Sequence, residues 1–528
     1  MNEQLDLFAI TTPPSPVQAA AGVAPPAPPD QAARTLVTEG LGHTLFVEAG
    51  AGSGKTTALV GRVTNLVLSG VPIASIAAIT FTEKAAAELR HRVRQQLTRA
   101  ATGGDEPAER AQAARDALVD LDRAPIGTLH AFARRILGEF PVEAELPPRF
   151  TVLDEVQSAT AFHERFTDFL EGLLDDVASA RLVELCQYDK FGVERGVRRM
   201  ADDFQANWDL VDERVGSTLP APVDDVAWRS KLERACAAIA AFQAPPDDKQ
   251  AEVPSEFARH ATRVAAAPFG QLLRMAENWR TLTFARKGNA AVWKKFHGTD
   301  AALPAFREAL AALASTAGEF LTLCNDERRL TLGALLRDFT LRSVDERRRA
   351  GELEFHDLLV FARRLLAANA AVRRELHRRY THLLLDEFQD TDPIQLELAV
   401  RITAAPDDQP ASWEQLVPLP GRLTVVGDPK QSIYRFRRAD IGQFLRARDQ
   451  LGATTAHLVA NFRSASPVIE WVNHTMNTLI TRDGDVQPEY LPLVAARAGH
   501  HEHGTVTVLG ATPHDDLGRA AADRKSAV

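Results

Sequence analysis

The stretch from residue 47 to residue 57, VEAGAGSGKTT, combines glycines, a lysine and two threonines at a spacing suited to holding phosphate groups. Glycines let the backbone curl until successive N–H groups face one phosphate, and the helix expected next adds a favourable dipole. Lys55 is expected to reach the β- and γ-phosphates of ATP, and the Thr56 hydroxyl to ligate Mg²⁺. We therefore predict an ATP-binding loop, with alanine where the strict pattern has its first glycine: Ala49, Gly50, Ala51, Gly52, Ser53, Gly54, Lys55, Thr56 and Thr57.

Two adjacent carboxylates, Asp386 and Glu387, follow a continuous apolar run at residues 381–385 that is typical of a buried strand. Carboxylates in this position suit nucleotide hydrolysis. Asp386 is expected to hold Mg²⁺ through its coordination sphere, and Glu387 to polarise the water that attacks the γ-phosphate.

Three further residues could act on the nucleotide. Gln431 follows a predicted strand at residues 423–426, where a side-chain amide could sense the γ-phosphate. Arg463 follows another at residues 456–459 and could act as a finger on the transition-state charge. Gln31 opens an amphipathic helix, where its amide could grip both edges of an adenine. Taken alone, Gln31 and Arg463 are ordinary surface residues.

Other residues near strand ends are candidates for contact with nucleic acid. Phe81 and Thr82 follow a predicted strand at residues 76–80, where open α/β sheets bind ligands. Tyr434 and Phe436 could offer stacking faces to bases. His130 lies at a strand-to-helix corner and is a candidate backbone or base contact. Phe81 could equally belong to the core, and a lone histidine usually has a structural role.

The composition is that of an ordinary soluble protein. The chain has 528 residues, enough for roughly two to four domains, and is 45% hydrophobic and 25% charged. Its three cysteines lie far apart without metal-ligand spacing, so we expect a reducing, cytoplasmic setting. We expect no membrane segment and no signal peptide. The net charge of −9 does not decide whether the protein binds nucleic acid.

Three regions stand outside the predicted sheet. Residues 1–29 are expected to form a disordered tail, because they have few large apolar side chains. Residues 151–350 are expected to be mainly helical, and aromatics beside cations, as at Trp293 and Lys294, fit either a single-strand binder or a helix with inward aromatics. The histidine-rich loop at residues 500–503 fits chance better than a metal site.

These motifs, in this order, resemble the ATP-dependent DNA helicases of superfamily 1, the UvrD/Rep group, and within it the RecB and AddA type. The resemblance runs from about Asp30 to Leu509 and includes the phosphate loop, the stretch from Thr80 to Ala86, the carboxylates and the segment Asn461 to Ser464. It implies an α/β fold: a RecA-like P-loop NTPase with a parallel sheet, a large helical insertion and an incomplete second RecA-like domain.

The resemblance also implies residue roles. Phe462 would stack on adenine, Arg463 and Gln431 would touch the γ-phosphate, and four residues would contact single-stranded DNA: Phe81, His130, Tyr434 and Phe436. It implies domain 1A at residues 30–150 and 351–455, accessory domain 1B at 151–350, and the start of domain 2A at 456–528. The N-terminal peptide Gln4, Leu5, Asp6, Leu7 and Phe8 resembles peptides that dock on the bacterial sliding clamp, although a frayed terminus is the alternative.

The implied function is an ATP- and Mg²⁺-dependent DNA helicase or translocase of repair and recombination, acting 3′ to 5′ on single-stranded and tailed duplex DNA. A helicase–nuclease partner subunit is implied too. Because family motifs V and VI do not occur in the sequence, the chain looks truncated, and the alternative is a non-motor ATP- and DNA-binding protein that needs another chain. We expect the chain alone to bind nucleotide and single-stranded DNA without unwinding duplex processively.

Overall fold

The computed structural model describes residues 27–104, 106–187, 193–281, 288–407, 410, 412–434, 438–484 and 486–496. The clamp-like peptide Gln4 to Phe8, the candidate Phe436, the histidine-rich loop and a strand predicted at residues 504–509 lie outside these residues. Two compact units are distinguished, one from Met1–Phe132 and Leu365–Val528, the other from Ala133–Arg364.

Ten strands are present among the described residues. They are β1 Leu45–Ala49, β2 Ile76–Thr80, β3 Ile126–Thr128, β4 Thr151–Val152, β5 Glu352–Leu353, β6 His382–Leu385, β7 Leu423–Gly427, β8 Thr454–Leu458, β9 Ala460–Asn461 and β10 Val494–Ala495.

The described α-helices number nineteen. They are α1 Gln31–Glu39, α2 Lys55–Leu68, α3 Glu83–Thr102, α4 Ala108–Asp120, α5 Leu129–Glu139, α6 Glu155–Asp175, α7 Ala180–Gln187, α8 Val193–Ala206, α9 Trp208–Arg214, α10 Asp225–Ala240, α11 Val253–Ala266, α12 Phe269–Arg280, α13 Ala290–His297, α14 Ala302–Ala350, α15 Phe355–Ala368, α16 Ala370–Arg379, α17 Pro393–Thr403, α18 Ile441–Gln450 and α19 Ser466–Leu479.

The first unit is built on a six-stranded sheet in the order β3-β2-β6-β7-β1-β8, in which every neighbouring pair is parallel. Its inner strands are nearly continuous apolar runs, because helices cover a parallel sheet on both faces. Residues of β1 that point to one face join α1 to α4 in a single core, and Phe46 on the other face meets Phe388 and Phe444. The predicted α/β class with a parallel sheet is confirmed.

Strand β8 differs from the sequence expectation, which placed residues 456–459 at the start of a second domain. The structure pairs β8 with β1, so that Thr454 to Leu458 form an edge of the central sheet. Ala456 and Leu458 of this strand are buried, and His457 between them is exposed. Sequence cannot show which sheet such a strand joins, because the pattern specifies a buried face and not a neighbour.

The second unit is mainly helical, and the 49-residue α14 is its longest element. The indole of Trp293 is buried in its core with Trp228 and Trp279, and Trp208 is buried as well. Of the two open interpretations of the aromatic stretches, Trp293 therefore fits the inward-facing one, while residues 282–287 lie outside the described residues. The unit begins at Ala133 and ends at Arg364, not at 151 and 350, and its assignment as domain 1B stays a prediction.

None of the helices in the described part of the chain combines the length and the apolar character needed to cross a membrane.

Candidate nucleotide and DNA site

The phosphate loop joins the end of β1 to the start of α2. Gly52 and Gly54 have φ angles of 70° and 83°, a conformation that glycine adopts without a steric penalty. A side chain on Gly52 would also come within 2.8 Å of the Asn461 amide nitrogen. Lys55 is the first residue of α2, and Gly54 is its N-cap. The backbone N–H groups at this helix start have no intrahelical acceptor, which is the arrangement that binds phosphate oxygens.

Other loop positions are also constrained. Ala49 is buried as the last residue of β1, and a Cβ on Gly50 would collide with Leu493, which explains why position 50 is glycine. Ser53 is buried, and its Oγ has no hydrogen-bond partner among the described residues. Ala51 and Thr57 are exposed.

The Lys55 ammonium and the Glu387 carboxylate form an ion pair, with Nζ 2.8 Å from Oε2. Burial by itself raises the pKa of Glu387, but the charge of Lys55 and hydrogen bonds from Gln389 and Lys55 outweigh burial, so the pKa is lowered. Glu387 is therefore an ionised carboxylate that already faces the cation of the phosphate loop.

Asp386 is in a different environment. Its burial and the neighbouring charge of Glu387 raise its pKa to about 6, although Lys55 and the Glu387 N–H, which donates to Oδ1 at 2.9 Å, act in the opposite direction. Ionising a buried carboxyl group costs free energy, and a nearby cation lowers that cost. Its oxygen and the Thr56 hydroxyl are hard donors that suit Mg²⁺.

Within the described part of the chain, no group of three or more His, Cys, Asp or Glu side chains could hold a metal ion. The two protein oxygens of Thr56 and Asp386 fit Mg²⁺ that completes its shell with phosphate and water oxygens, as is usual for this ion.

Gln389 connects the loop after β6, which carries Asp386 and Glu387, to the end of β7. Its Nε2 donates to Glu387 Oε2 at 2.7 Å, and its Oε1 accepts from the Asp428 N–H at 2.9 Å. Gln431, predicted to sense the γ-phosphate, is exposed and donates from Nε2 to Asp428 Oδ2 at 2.7 Å. Sequence reasoning singled out Gln431 but missed Gln389 and Asp428.

The segment Asn461 to Ser464 clamps the phosphate loop. The Asn461 Nδ2 donates to the Ala51 carbonyl at 2.6 Å, and the Phe462 N–H donates to the Gly52 carbonyl at 2.9 Å. The Asn461 Oδ1 also accepts the N–H groups of Arg463 and Ser464, at 2.9 and 2.8 Å. The structure thus places Phe462 and Arg463 beside the loop, and their contacts with a nucleotide stay a prediction.

Helix α1 meets the same segment through a pair that sequence reasoning missed. Asp30 accepts two hydrogen bonds of 2.8 Å from Arg34 and also the N–H groups of residues 459 and 460. The Arg34 guanidinium lies 4.8 Å from the centre of the Phe462 ring, which is 45% exposed. The i, i+4 spacing of Asp30 and Arg34 was the available signal. Gln31 is exposed, and its amide lies 3.4 Å from the Thr35 hydroxyl.

Two of the residues predicted to contact DNA lie together. The Phe81 and Tyr434 rings pack at 4.9 Å with a tilt of 42°. Thr82 caps α3, because its Oγ1 accepts the Ala85 N–H, and His130 is half-buried in the first turn of α5. The chain segments that carry these residues leave the carboxyl ends of β2, β3 and β7, at the same edge of the sheet as the phosphate loop and the carboxylates.

Comparison with known proteins agrees with this arrangement. Residues 30–452 match the model of the UvrD/REP helicase N-terminal domain. Among similar proteins, an ATP-dependent helicase/nuclease subunit from Levilactobacillus brevis is 28% identical over 495 residues, covering 84% of this chain and 38% of that protein. A protein of the same name from Latilactobacillus sakei is 27% identical, covering 82% of this chain and 53% of that protein. The chain thus spans less than two thirds of the length of these relatives.

Proposed function

Because the chain belongs to the UvrD/REP helicase N-terminal domain family, we propose that it is part of an ATP-dependent DNA helicase of repair and recombination. It couples ATP hydrolysis to movement along single-stranded DNA, in the 3′ to 5′ direction. The observation that carries the proposal is the 2.8 Å pair between Lys55 and Glu387, with Asp386 beside it, at one sheet edge with the Phe81 and Tyr434 rings.

The phosphate loop binds the nucleotide. Backbone N–H groups at the start of α2 bind the phosphates, and Lys55 turns from Glu387 towards the β- and γ-phosphate oxygens when ATP enters. Phe462 stacks its exposed ring on the adenine, and Gln31, three residues before the Arg34 that packs on this ring, reads the edge of the base. Thr56 and Asp386 would hold Mg²⁺, which neutralises charge on the phosphates.

Glu387 is the general base. Once Lys55 binds phosphate, the carboxylate is available to orient a water and accept its proton during attack on the γ-phosphorus. Gln431 senses the γ-phosphate from the end of β7, and Arg463 compensates the charge that develops as the bond to the leaving group breaks.

DNA lies across the carboxyl ends of β2, β3 and β7. Phe81 and Tyr434 stack on bases, since an aromatic face is tolerant of sequence. Thr82, His130 and Phe436 complete the proposed contacts. We also propose a helicase–nuclease partner chain, since each of the relatives is named as one subunit of a helicase/nuclease, and a clamp contact through residues 4–8.

The test is ATP turnover by the purified chain with and without single-stranded DNA, together with strand displacement on duplexes that carry a 3′ or a 5′ tail. ATP turnover that is stimulated by DNA would support the proposal. Strand displacement that requires the 3′ tail, measured with a partner chain present where one is needed, would support it as well. ATP and DNA binding without stimulation of turnover would favour the second candidate, a non-motor binding protein. Displacement that requires a 5′ tail would contradict the proposed polarity.

A further inference from the structure

Gln389 is a buried amide that touches two catalytic loops at once. It is 3% exposed, and its Nε2 donates to Glu387 Oε2 at 2.7 Å and to Asp390 Oδ2 at 3.2 Å. Its Oε1 accepts the Asp428 N–H at 2.9 Å. Because one planar group makes both sets of bonds, a shift of the Asp428 backbone must change the bond to Glu387.

The fit of this amide at the end of β7 is tight. A Cβ on Gly427 would come within 2.8 Å of Gln389 Oε1 and 2.9 Å of the Phe444 ring. The Ser432 hydroxyl donates to the Gln389 carbonyl at 3.0 Å, which adds a second link to the same loop. A close-packed contact transmits displacement, because it has no space in which to absorb it.

The loop that follows β7, residues 428–434, leads directly to the proposed DNA contact. Asp428 is buried, its Oδ2 accepts from Gln431, and its Oδ1 lies 3.0 Å from the Lys430 ammonium. Six residues after Asp428 the loop reaches Tyr434, whose ring packs on Phe81. A base that stacks on Tyr434 therefore acts on the loop that holds Gln389.

Glu387, which accepts a hydrogen bond from the Gln389 amide, has an unusual backbone conformation. Its φ of 50° lies in the left-handed region, which only three non-glycine residues adopt in the described part of the chain. Such a conformation is unfavourable for a residue with a side chain and persists only where surrounding contacts impose it. The Glu387 Oε2 that accepts a hydrogen bond from Gln389 also accepts one from Lys55 at 2.8 Å. Gln389 and the lysine of the phosphate loop therefore share one oxygen.

We propose that Gln389 is a positioning residue that relays the state of the DNA-contacting loop, residues 428–434, to the Glu387 carboxylate. DNA on Tyr434 shifts the loop, the Asp428 N–H moves the amide, and the amide reorients Glu387 towards the attacking water. This inference rests on the proposed function. It adds the path by which DNA increases the rate of ATP hydrolysis.

The experiment compares steady-state ATP hydrolysis, with and without single-stranded DNA, in the wild-type chain, Gln389→Ala and Gln389→Glu. The glutamate variant keeps an acceptor for the Asp428 N–H but replaces the donor to Glu387 with a repelling carboxylate. We expect both variants to lose about tenfold or more of the ratio between DNA-stimulated and basal kcat. The KM for ATP and the Kd for DNA should stay within about twofold of wild type.

Gln395→Ala is the matched control, because Gln395 is a buried glutamine on α17 in the same unit. It should leave the stimulation ratio unchanged. An unchanged ratio in both Gln389 variants, or an equal fall of basal and stimulated kcat, would overturn the relay. Loss of DNA or ATP binding in the Gln389 variants, or a lowered ratio in Gln395→Ala, would overturn it as well. A wild-type chain without DNA stimulation would instead overturn the proposed function, and the relay with it.

Discussion

At the scale of single residues, the site is held by hydrogen bonds between segments that are distant in sequence. Asn461 shows this most directly, because one amide supports the carbonyl of Ala51 and two N–H groups of its own turn. A loop held in this way needs little reorganisation when phosphate binds, and preorganisation raises affinity.

Asn461→Ala should weaken ATP binding about tenfold, because the phosphate loop loses a buried hydrogen bond worth roughly 1–1.5 kcal/mol. Titration with a fluorescent ATP analogue measures the effect. Asn65→Ala is the control, since Asn65 on α2 also donates to a backbone carbonyl, that of Thr38, away from the nucleotide. Equal loss of affinity in the two variants would mean that Asn461 acts only through stability.

Phe81→Ala and Tyr434→Ala should each weaken binding of single-stranded DNA by about 1–3 kcal/mol, the typical contribution of one base stacked on an aromatic ring. Fluorescence anisotropy with an oligonucleotide gives the affinities. ATP affinity should not change. Trp471→Ala removes an exposed aromatic on α19 as a control. Unchanged DNA affinity in both ring variants would place the strand elsewhere.

At the scale of elements, one buried arginine of α2 binds the carbonyl end of α1. The Arg62 guanidinium is fully buried and donates to four carbonyls at the end of α1 and just beyond it, those of Val37, Gly40, Leu41 and His43. Burial lowers its pKa to about 10, so the group remains charged at neutral pH. The hydrogen bonds satisfy one carbonyl in the last turn of α1 and three in the turn that follows it.

Arg62→Met should lower the free energy of unfolding by about 3 kcal/mol or more, because it removes four hydrogen bonds made by a fully buried guanidinium. Urea denaturation followed by circular dichroism measures the change. Arg94→Met, which removes an exposed pair with Asp122, should cost less than about 1 kcal/mol. Similar losses in the two variants would contradict the capping role of Arg62.

His382, at the start of β6, makes stability depend on pH. Burial, together with the charges of Arg62 and Arg422, lowers its pKa to about 4. Between pH 6.5 and pH 4 the unfolded chain therefore binds a proton that the folded chain does not, and stability falls as the pH falls through this window. Allowing for partial exposure, the loss is on the order of 1 kcal/mol.

His382→Gln should remove that loss, so that the variant loses less stability than wild type between pH 7 and pH 4.5. Thermal unfolding at both pH values tests this. His474→Gln, at an exposed histidine of α19, serves as the control and should behave as wild type. A variant that is as acid-sensitive as wild type would assign the sensitivity to other groups.

The sequence predicts individual strands and helices more reliably than it predicts which strands pair with each other. The phosphate loop and the strands before it and before Asp386 could be predicted, because glycine spacing and apolar runs are local signals. The pairing of β8 with β1 could not be predicted, since the pattern of apolar residues in a strand does not specify which strand it pairs with. Gln389 was missed for the same reason, because its role depends on the pairing of β6 with β7.

At the scale of the whole molecule, one parallel sheet collects the residues proposed to bind nucleotide and DNA at a single edge, although they come from distant parts of the chain. The helical unit Ala133–Arg364 is formed by the chain between β3 and β6, and this leaves the order of the sheet undisturbed. The proposed chemistry therefore depends on that edge, where we infer that Lys55 binds the phosphates and Glu387 activates the water.

The most direct test measures Mg²⁺-ATP binding and ATP turnover in the wild-type chain, Lys55→Ala and Glu387→Gln. We predict that Lys55→Ala loses nucleotide binding, because it removes the cation of the phosphate loop. Glu387→Gln should bind ATP at least as tightly as wild type but lose about 10²- to 10⁴-fold in turnover, the usual contribution of a general base. Equal loss of binding in both variants, or wild-type turnover in Glu387→Gln, would contradict these roles.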